Sequence, residues 1–198
     1  NKTTPVAGDV KYVDRNGDGV VDDNDRDIIG NPNPDFTYGF QTKVSWKSLS
    51  LSASFNGVQG RDILNVGNRY NNTPGTKSNN VTRKAFQNMW TDENPSNLYP
   101  KSTFVVQNMV MDRYVEDGSY LRCSDITLSY ILPAKWTNKI GIKNTSVYAS
   151  VKNAFVITDY SGYDPEVNSF AFDGLRPGVD MNSYPTPRSF VFGLNLTF

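Results

Sequence analysis

The chain has 198 residues, room for one large or two small domains, and its 20 Lys plus Arg balance 20 Asp plus Glu, leaving no net field to attract nucleic acid or an acidic membrane surface. It contains no histidine, which removes the usual zinc sites, Ser-His-Asp and Cys-His catalysis and any imidazole pH switch. One cysteine, Cys123, excludes an internal disulfide, and no apolar run nears the ~18 residues of a membrane-crossing helix.

The opening NKTTPVAGDV lacks the basic start and apolar core of a signal peptide. It leads into DRNGDGVVDDND, residues 14–25. Counted from Asp14 as position 1, Asn16 is at 3, Asp18 at 5, Gly19 at 6, Val20 at 7, Asp22 at 9 and Asp25 at 12. That is calcium-loop spacing: side-chain oxygens at 1, 3, 5, 9 and 12, a backbone carbonyl at 7, and glycine at the sharp turn. Asp25 stands where the usual loop has Glu, so its shorter arm must approach closer to bind through both oxygens. The flanks are not amphipathic EF-hand helices, so the spacing predicts a structural Ca²⁺ loop on a β scaffold. The bland alternative is a solvated acidic turn.

From residue 36 the period becomes two. FTYGFQTKVSW puts Phe36, Tyr38, Phe40, Thr42, Val44 and Trp46 on one face, and LSLSASFNG does the same with Leu49, Leu51, Ala53 and Phe55. A two-residue turn, Lys47-Ser48, predicts an antiparallel hairpin pairing Trp46 with Leu49, Val44 with Leu51, Thr42 with Ala53 and Phe40 with Phe55. The long, Asn/Gly/Thr/Pro-rich segment 59–118 predicts one short helix in NVTRKAFQNMW, with Val81, Ala85, Phe86 and Met89 on a face, and with Trp90 and Tyr99 packing the loop down. ITLSYIL follows, with Ile126, Leu128, Tyr130 and Leu132 on one side before Pro133. SVYASVKNAFVIT is a weaker strand with Val147, Ala149 and Val151 on its apolar side. The loop 159–187 is turn-rich, with Pro165, Pro177, Pro185 and Pro187, and its aromatics could stack on sugars or pack the loop. FVFGLNLTF closes the chain with Phe190, Phe192, Leu194, Leu196 and Phe198 on one side.

Five antiparallel strands are therefore predicted near 36–46, 49–58, 119–132, 146–157 and 189–198. Small hydrophilic residues on the second face suit a wet lumen. Ten steps from Phe36 to Trp46, at ~3.3 Å each and ~45° tilt, span about 24 Å, close to the ~25 Å apolar band of a membrane barrel. Short connections at Lys47-Ser48 and 133–145 alternate with the long ones, as periplasmic turns alternate with extracellular loops. The alternative, a soluble calcium-stabilised β-sandwich for carbohydrate binding or adhesion, explains the calcium loop but not the alternating connections.

The segments YVDRNGDGVVDDNDRDIIGNPNPDFTYGF, DGSYLR, LSYILP, TDYSGYDPEVN and SYPTPRSFVFGLNLTF together resemble the C-terminal part of a SusC/RagA-family TonB-dependent outer-membrane transporter. They run in family order over almost the whole chain, and Phe198 resembles the terminal aromatic of outer-membrane barrels. Cys123 stands where the family pattern suggests a large apolar residue. The resemblance implies an all-β fold, the last strands of a 22-stranded antiparallel transmembrane barrel, divided into a calcium-type extracellular loop, 1–34, and barrel strands, 35–198, carrying extracellular loops 59–118 and 159–187. It implies import of oligosaccharides or peptides with a SusD-like surface lipoprotein. TonB contact, the plug and the remaining strands would lie outside these residues.

No catalytic constellation is legible. Asp92, Glu93, Asp164 and Glu166 sit in loops without an identifiable nucleophile or base, and there is no phosphate loop or CxxC pair. Arg176 and Arg188 read as solvated loop charges in preference to anion ligands. The expectation is a transport protein and not an enzyme, with no substrate-binding residue assigned.

Overall fold

The computed structural model describes residues 6–73, 80–102, 110–137, 142, 144–166, 169–170 and 173–197. Phe198 lies outside them. The chain divides into two compact units, one formed by 1–31, 63–116 and 168–182, the other by 32–62, 117–167 and 183–198.

The second unit is built on a five-stranded antiparallel sheet of β1 (Phe36–Trp46), β2 (Leu49–Gln59), β5 (Tyr120–Ile131), β6 (Asn144–Thr158) and β8 (Ser189–Thr197), in the order β1-β2-β5-β6-β8. All five expected strands are present, and the hairpin register matches pair for pair, from Trp46 opposite Leu49 to Phe40 opposite Phe55. Lys47 takes a φ of 53°, the left-handed conformation that tight hairpin turns require at their first central residue. The segment expected to be the weaker strand, β6, is the longest, at 15 residues, and pairs with β5 on one side and β8 on the other.

The registers align the apolar residues into rows. Trp46, Leu49, Tyr130, Val147 and Leu194 form one row; Val44, Leu51, Leu128, Ala149 and Phe192 the next; Thr42, Ala53, Ile126, Val151 and Phe190 a third. Much of this surface is exposed: Trp46 is 68% exposed and Phe192 78%. The opposite face carries Gln41, Ser54, Asp125, Lys152 and Ser189 in one row and Lys43, Ser52, Thr127, Ser150 and Val191 in the next. Two glycines are required by tyrosines lying across them. A Cβ on Gly57 would meet its partner Tyr38 at 2.3 Å, and one on Gly193 would meet its partner Tyr148 at 2.2 Å.

The rows are interrupted by a bulge. The register shifts between Ser54/Phe55 on β2 and between Cys123/Asp125 on β5, leaving Ser124 without an opposite number. Strict alternation back from Ile126 would put Ser124, Arg122 and Tyr120 on the apolar face. The bulge moves Arg122 and Tyr120 to the polar face and sets Cys123 opposite both Phe55 and Phe155. Cys123 is fully buried there, so a small residue fills the place where a large one was expected.

The first unit holds a three-stranded sheet, order β4-β3-β7, of β3 (Asp62–Asn65), β4 (Val115–Asp117) and β7 (Val179–Asp180), none of it expected from the sequence. Helix α1 (Val66–Asn72) was also missed; Asn65 caps it by accepting the Asn68 N–H. The expected loop helix is present but shorter, α2 (Arg83–Asn88), capped by the Thr82 hydroxyl. The expected face is corrected: Ala85 is buried, but Phe86 is 62% exposed and Met89 is no longer helical. Met89 instead bridges to Tyr99, and Trp90 donates its N–H to the Tyr99 carbonyl, ending the helix early. A third short helix, in the other unit, α3 (Ala134–Thr137), sits in the short connection after Pro133.

Candidate functional site

Two clusters concentrate charge. The first is the loop 14–25. Asp14 accepts the N–H of Gly17 on Oδ1 (2.7 Å) and of Gly19 on Oδ2 (2.8 Å); Asn16 accepts Asp18 N–H (2.9 Å); Asp18 accepts Val20 N–H (2.8 Å). Asp25 closes the loop, taking Arg15 N–H on Oδ1 (2.8 Å) and Asp22 N–H on Oδ2 (2.7 Å), while Asp22 caps the short turn Asp23–Asp25 through Asn24 N–H (2.8 Å). Gly17 and Gly19, at φ 74° and 80°, supply the left-handed steps that let the chain wind around Asp14. The N–H groups of Asp22 and Arg15 hold the Asp25 carboxyl below its ordinary range.

All six predicted ligands, Asp14, Asn16, Asp18, Val20, Asp22 and Asp25, thus lie in one loop stitched together by its own carboxylates. Among the described residues no group of three acidic or cysteine side chains is drawn together as a metal cage. Each carboxylate oxygen that accepts one N–H keeps a second lone pair. Holding an ion would need these oxygens to close on a common centre.

The second cluster escaped sequence reasoning. Arg122, 5% exposed on the polar face of β5, places Nη2 at 2.5 Å from Asp164 Oδ1 and Nε at 2.8 Å from Glu166 Oε2. The Tyr120 hydroxyl donates to Glu166 Oε1 (2.6 Å), and Asn56 Nδ2 donates to the same oxygen (3.2 Å). Burial opposes ionisation of Asp164, but the N–H groups of Glu166 and Thr186 and the Arg122 guanidinium outweigh it and hold its pKa low. The signal available in the sequence was an arginine in a β-strand facing an acid pair 42 and 44 residues on, and without the bulge that arginine points to the wrong face. Further along the same face, Asp125 accepts from the Lys152 ammonium (2.5 Å), Ser150 (2.8 Å) and Thr127 (2.7 Å). Arg176 pairs with Asp173 (3.3 Å).

No family model matches the chain. Among curated proteins it is 35% identical to TonB-dependent receptor P26 of Formosa agariphila over 98% of its length and 20% of that protein. It is 34% identical to TonB-dependent receptor SusC of Bacteroides thetaiotaomicron over 94% of its length and 17% of the relative. The chain is a segment of a SusC/RagA-type TonB-dependent receptor. It spans about a fifth of the length of the curated relatives it matches. The solved RagAB peptide transporter superposes with a TM-score of 0.74 at 29% identity, covering 86% of this receptor segment and 18% of that chain. The RagAB peptide importer in its closed-closed state gives 0.73 at 27% over 91%. The sheet is therefore part of an antiparallel β-barrel, its apolar rows the outer surface and its Ser/Thr/Asp/Lys rows the inner one. The sandwich alternative is set aside by this likeness. None of the described helices is long and apolar enough to cross a membrane.

Proposed function

We propose that this receptor segment forms part of the wall of an outer-membrane importer of oligosaccharides or peptides. TonB would energise it through a region outside these residues, a plug and further strands would complete the barrel, and a SusD-like surface lipoprotein would deliver the nutrient. The supporting observation is the continuity of the apolar rows across five strands, backed by 34–35% identity to receptors of this type along almost the entire segment. The role is transport with no chemistry on the cargo. In this reading Phe198, the Lys47-Ser48 turn and the 133–145 connection face the periplasm, and the loops 1–34, 59–118 and 159–187 face outward. Deleting the full-length receptor should stop growth on one polymeric glycan or peptide source and spare growth on monosaccharides and amino acids. Unchanged growth on every such source would overturn the proposal.

We also propose that residues 14–25 bind Ca²⁺ structurally, through Asp14, Asn16, Asp18, the Val20 carbonyl, Asp22 and Asp25. The support is the spacing together with a loop already wound about Asp14 by two left-handed glycines. A divalent cation would turn the repulsion of clustered carboxylates into coordination, and a flexible all-oxygen loop suits calcium over magnesium. Calcium should raise the melting temperature of the full-length protein, and a midpoint indifferent to both calcium and chelator would leave the stretch a solvated turn.

A further inference from the structure

At the end of β6 the chain turns back over the polar face of the sheet. Thr158 starts the turn, its hydroxyl donating to the Ser119 carbonyl (2.7 Å) and accepting the Tyr160 N–H (3.1 Å). Tyr160, Asp164 and Pro165 are all buried. The segment then meets groups from two other strands. Arg122 and Tyr120 of β5 hold the carboxylates of Asp164 and Glu166, Asn56 of β2 reaches Glu166, and Arg61, just past β2, donates Nη2 to the Pro165 carbonyl (2.6 Å). Asn56 and Arg122 are register partners, so a segment leaving β6 is fastened across β5 to β2. The second oxygen of Asp164 accepts the Thr186 N–H (3.0 Å), which ties the return of the same loop to the same point just before β8.

Two guanidiniums and two carboxylates meet here; Arg122 and Asp164 are buried, Arg61 is half-buried and Glu166 is exposed. Their roles differ. Among the described residues, Arg61 donates to a backbone carbonyl, whereas the Arg122 guanidinium lies against both carboxylates, hydrogen-bonded to Asp164 and ion-paired with Glu166. We propose that Asp159–Glu166 is a strap over the inner wall, locked by Arg122 acting as a positioning residue that fixes both ends of the 159–187 loop. Loss of this guanidinium would free the strap while the strands beneath stay paired. The strand ladder of β5 uses backbone groups only, so it does not depend on the side chain. The Asp164 carboxylate does, because a buried charge without its partner must take up a proton or move into water. Lysine is a single point donor and cannot reproduce the two-pronged contact. The inference goes beyond the import reading and does not depend on it, since it concerns how the wall is built and not what passes through it.

The test is hydrogen–deuterium exchange on the full-length receptor in detergent, comparing the wild type with Arg122→Gln, Arg122→Lys and the charge-neutral double variant Asp164→Asn/Glu166→Gln. Peptides bearing the Glu166 and Thr186 amides, both donated to Asp164 in the locked strap, should exchange about 100-fold faster in Arg122→Gln and in the double variant. Arg122→Lys should fall between, and β5 and β6 peptides should keep wild-type protection in all three. Unchanged protection at Glu166 and Thr186 in Arg122→Gln would overturn the lock. So would loss of β5 and β6 protection in both the single and the double variant, because strap and wall would then be one unit.

Discussion

An arginine placed at Ile126 should cost far more than one placed a few residues away. β1 runs 11 residues, and its midpoint row is Gln41, Ser54, Asp125, Lys152 and Ser189 on the polar face. The adjoining outer row, Thr42, Ala53, Ile126, Val151 and Phe190, therefore sits near mid-depth of a wall about 24 Å tall. Val147 lies two rows further on, level with Trp46 at the end of β1. A cationic side chain facing lipid costs ~2–4 kcal/mol at the midplane and ~0–1 near the interface. Ile126→Arg should thus shift the folding equilibrium by about 30- to 1000-fold and Val147→Arg by less than about fivefold. Ser129→Arg, facing inward beside Ser50 and Tyr148, should be close to neutral. Urea titration of the full-length receptor in lipid vesicles measures all three. Equal costs for Ile126→Arg and Val147→Arg, or a larger cost for Ser129→Arg, would refute the assignment of faces.

Asp14→Ala or Asp18→Ala should abolish any calcium-dependent rise in melting temperature and leave the strand circular dichroism intact; a rise that persisted in both would remove the loop from the account. Asp164→Ala should destabilise by about 1–3 kcal/mol, since it removes one of the two carboxylates set against a buried guanidinium, and Glu166→Ala by less because Glu166 is partly exposed, as denaturant midpoints would show. Because the folded pKa of Asp164 is depressed, its contribution is fully present above the unfolded value of about 3.9 and is lost only as pH falls through the lower folded value. Protection of the Thr186 amide should accordingly stay constant from pH 7 to pH 4 once intrinsic exchange is corrected; loss between pH 6 and pH 5 would contradict that sign. Gly193→Ala should cost about 1–3 kcal/mol by displacing the Tyr148 ring, and Gly193→Ala combined with Tyr148→Ala should recover part of it in the same titration.

What the sequence made legible was whatever repeats with the pleat. Alternation from Phe36 to Trp46 and from Leu49 to Phe55 fixes faces, and a two-residue turn fixes register, so the hairpin could be paired by inspection. Ser124 carries no such signal. An inserted residue leaves composition unchanged while exchanging faces, which is why Arg122 could not be placed on the inner wall and why Asp164 and Glu166 looked partnerless. Asn153, at φ 51° beside the register shift on β6, was the one visible hint, since Asn tolerates the left-handed conformation. The parallel pairing of Leu64 with Val179 was beyond reach for another reason: a two-residue pairing between short strands far apart in sequence is made by backbone groups, whose identity the side chains do not encode. The Met89 misassignment came from counting helical spacing past Asn88, where the bridge to Tyr99 ends the helix.

The central claim, that one face of this sheet meets lipid and the other a wet lumen, is tested most directly by single fluorophores on neighbouring residues of β8. Full-length receptor carrying Cys123→Ala would be labelled at Phe192→Cys or at Val191→Cys and reconstituted with brominated lipid or with aqueous iodide. The account predicts quenching by brominated lipid at position 192 and by iodide at position 191, because these adjacent residues lie in the outer and inner rows respectively. Equal quenching of both sites by either agent, or the reverse pattern, would contradict it.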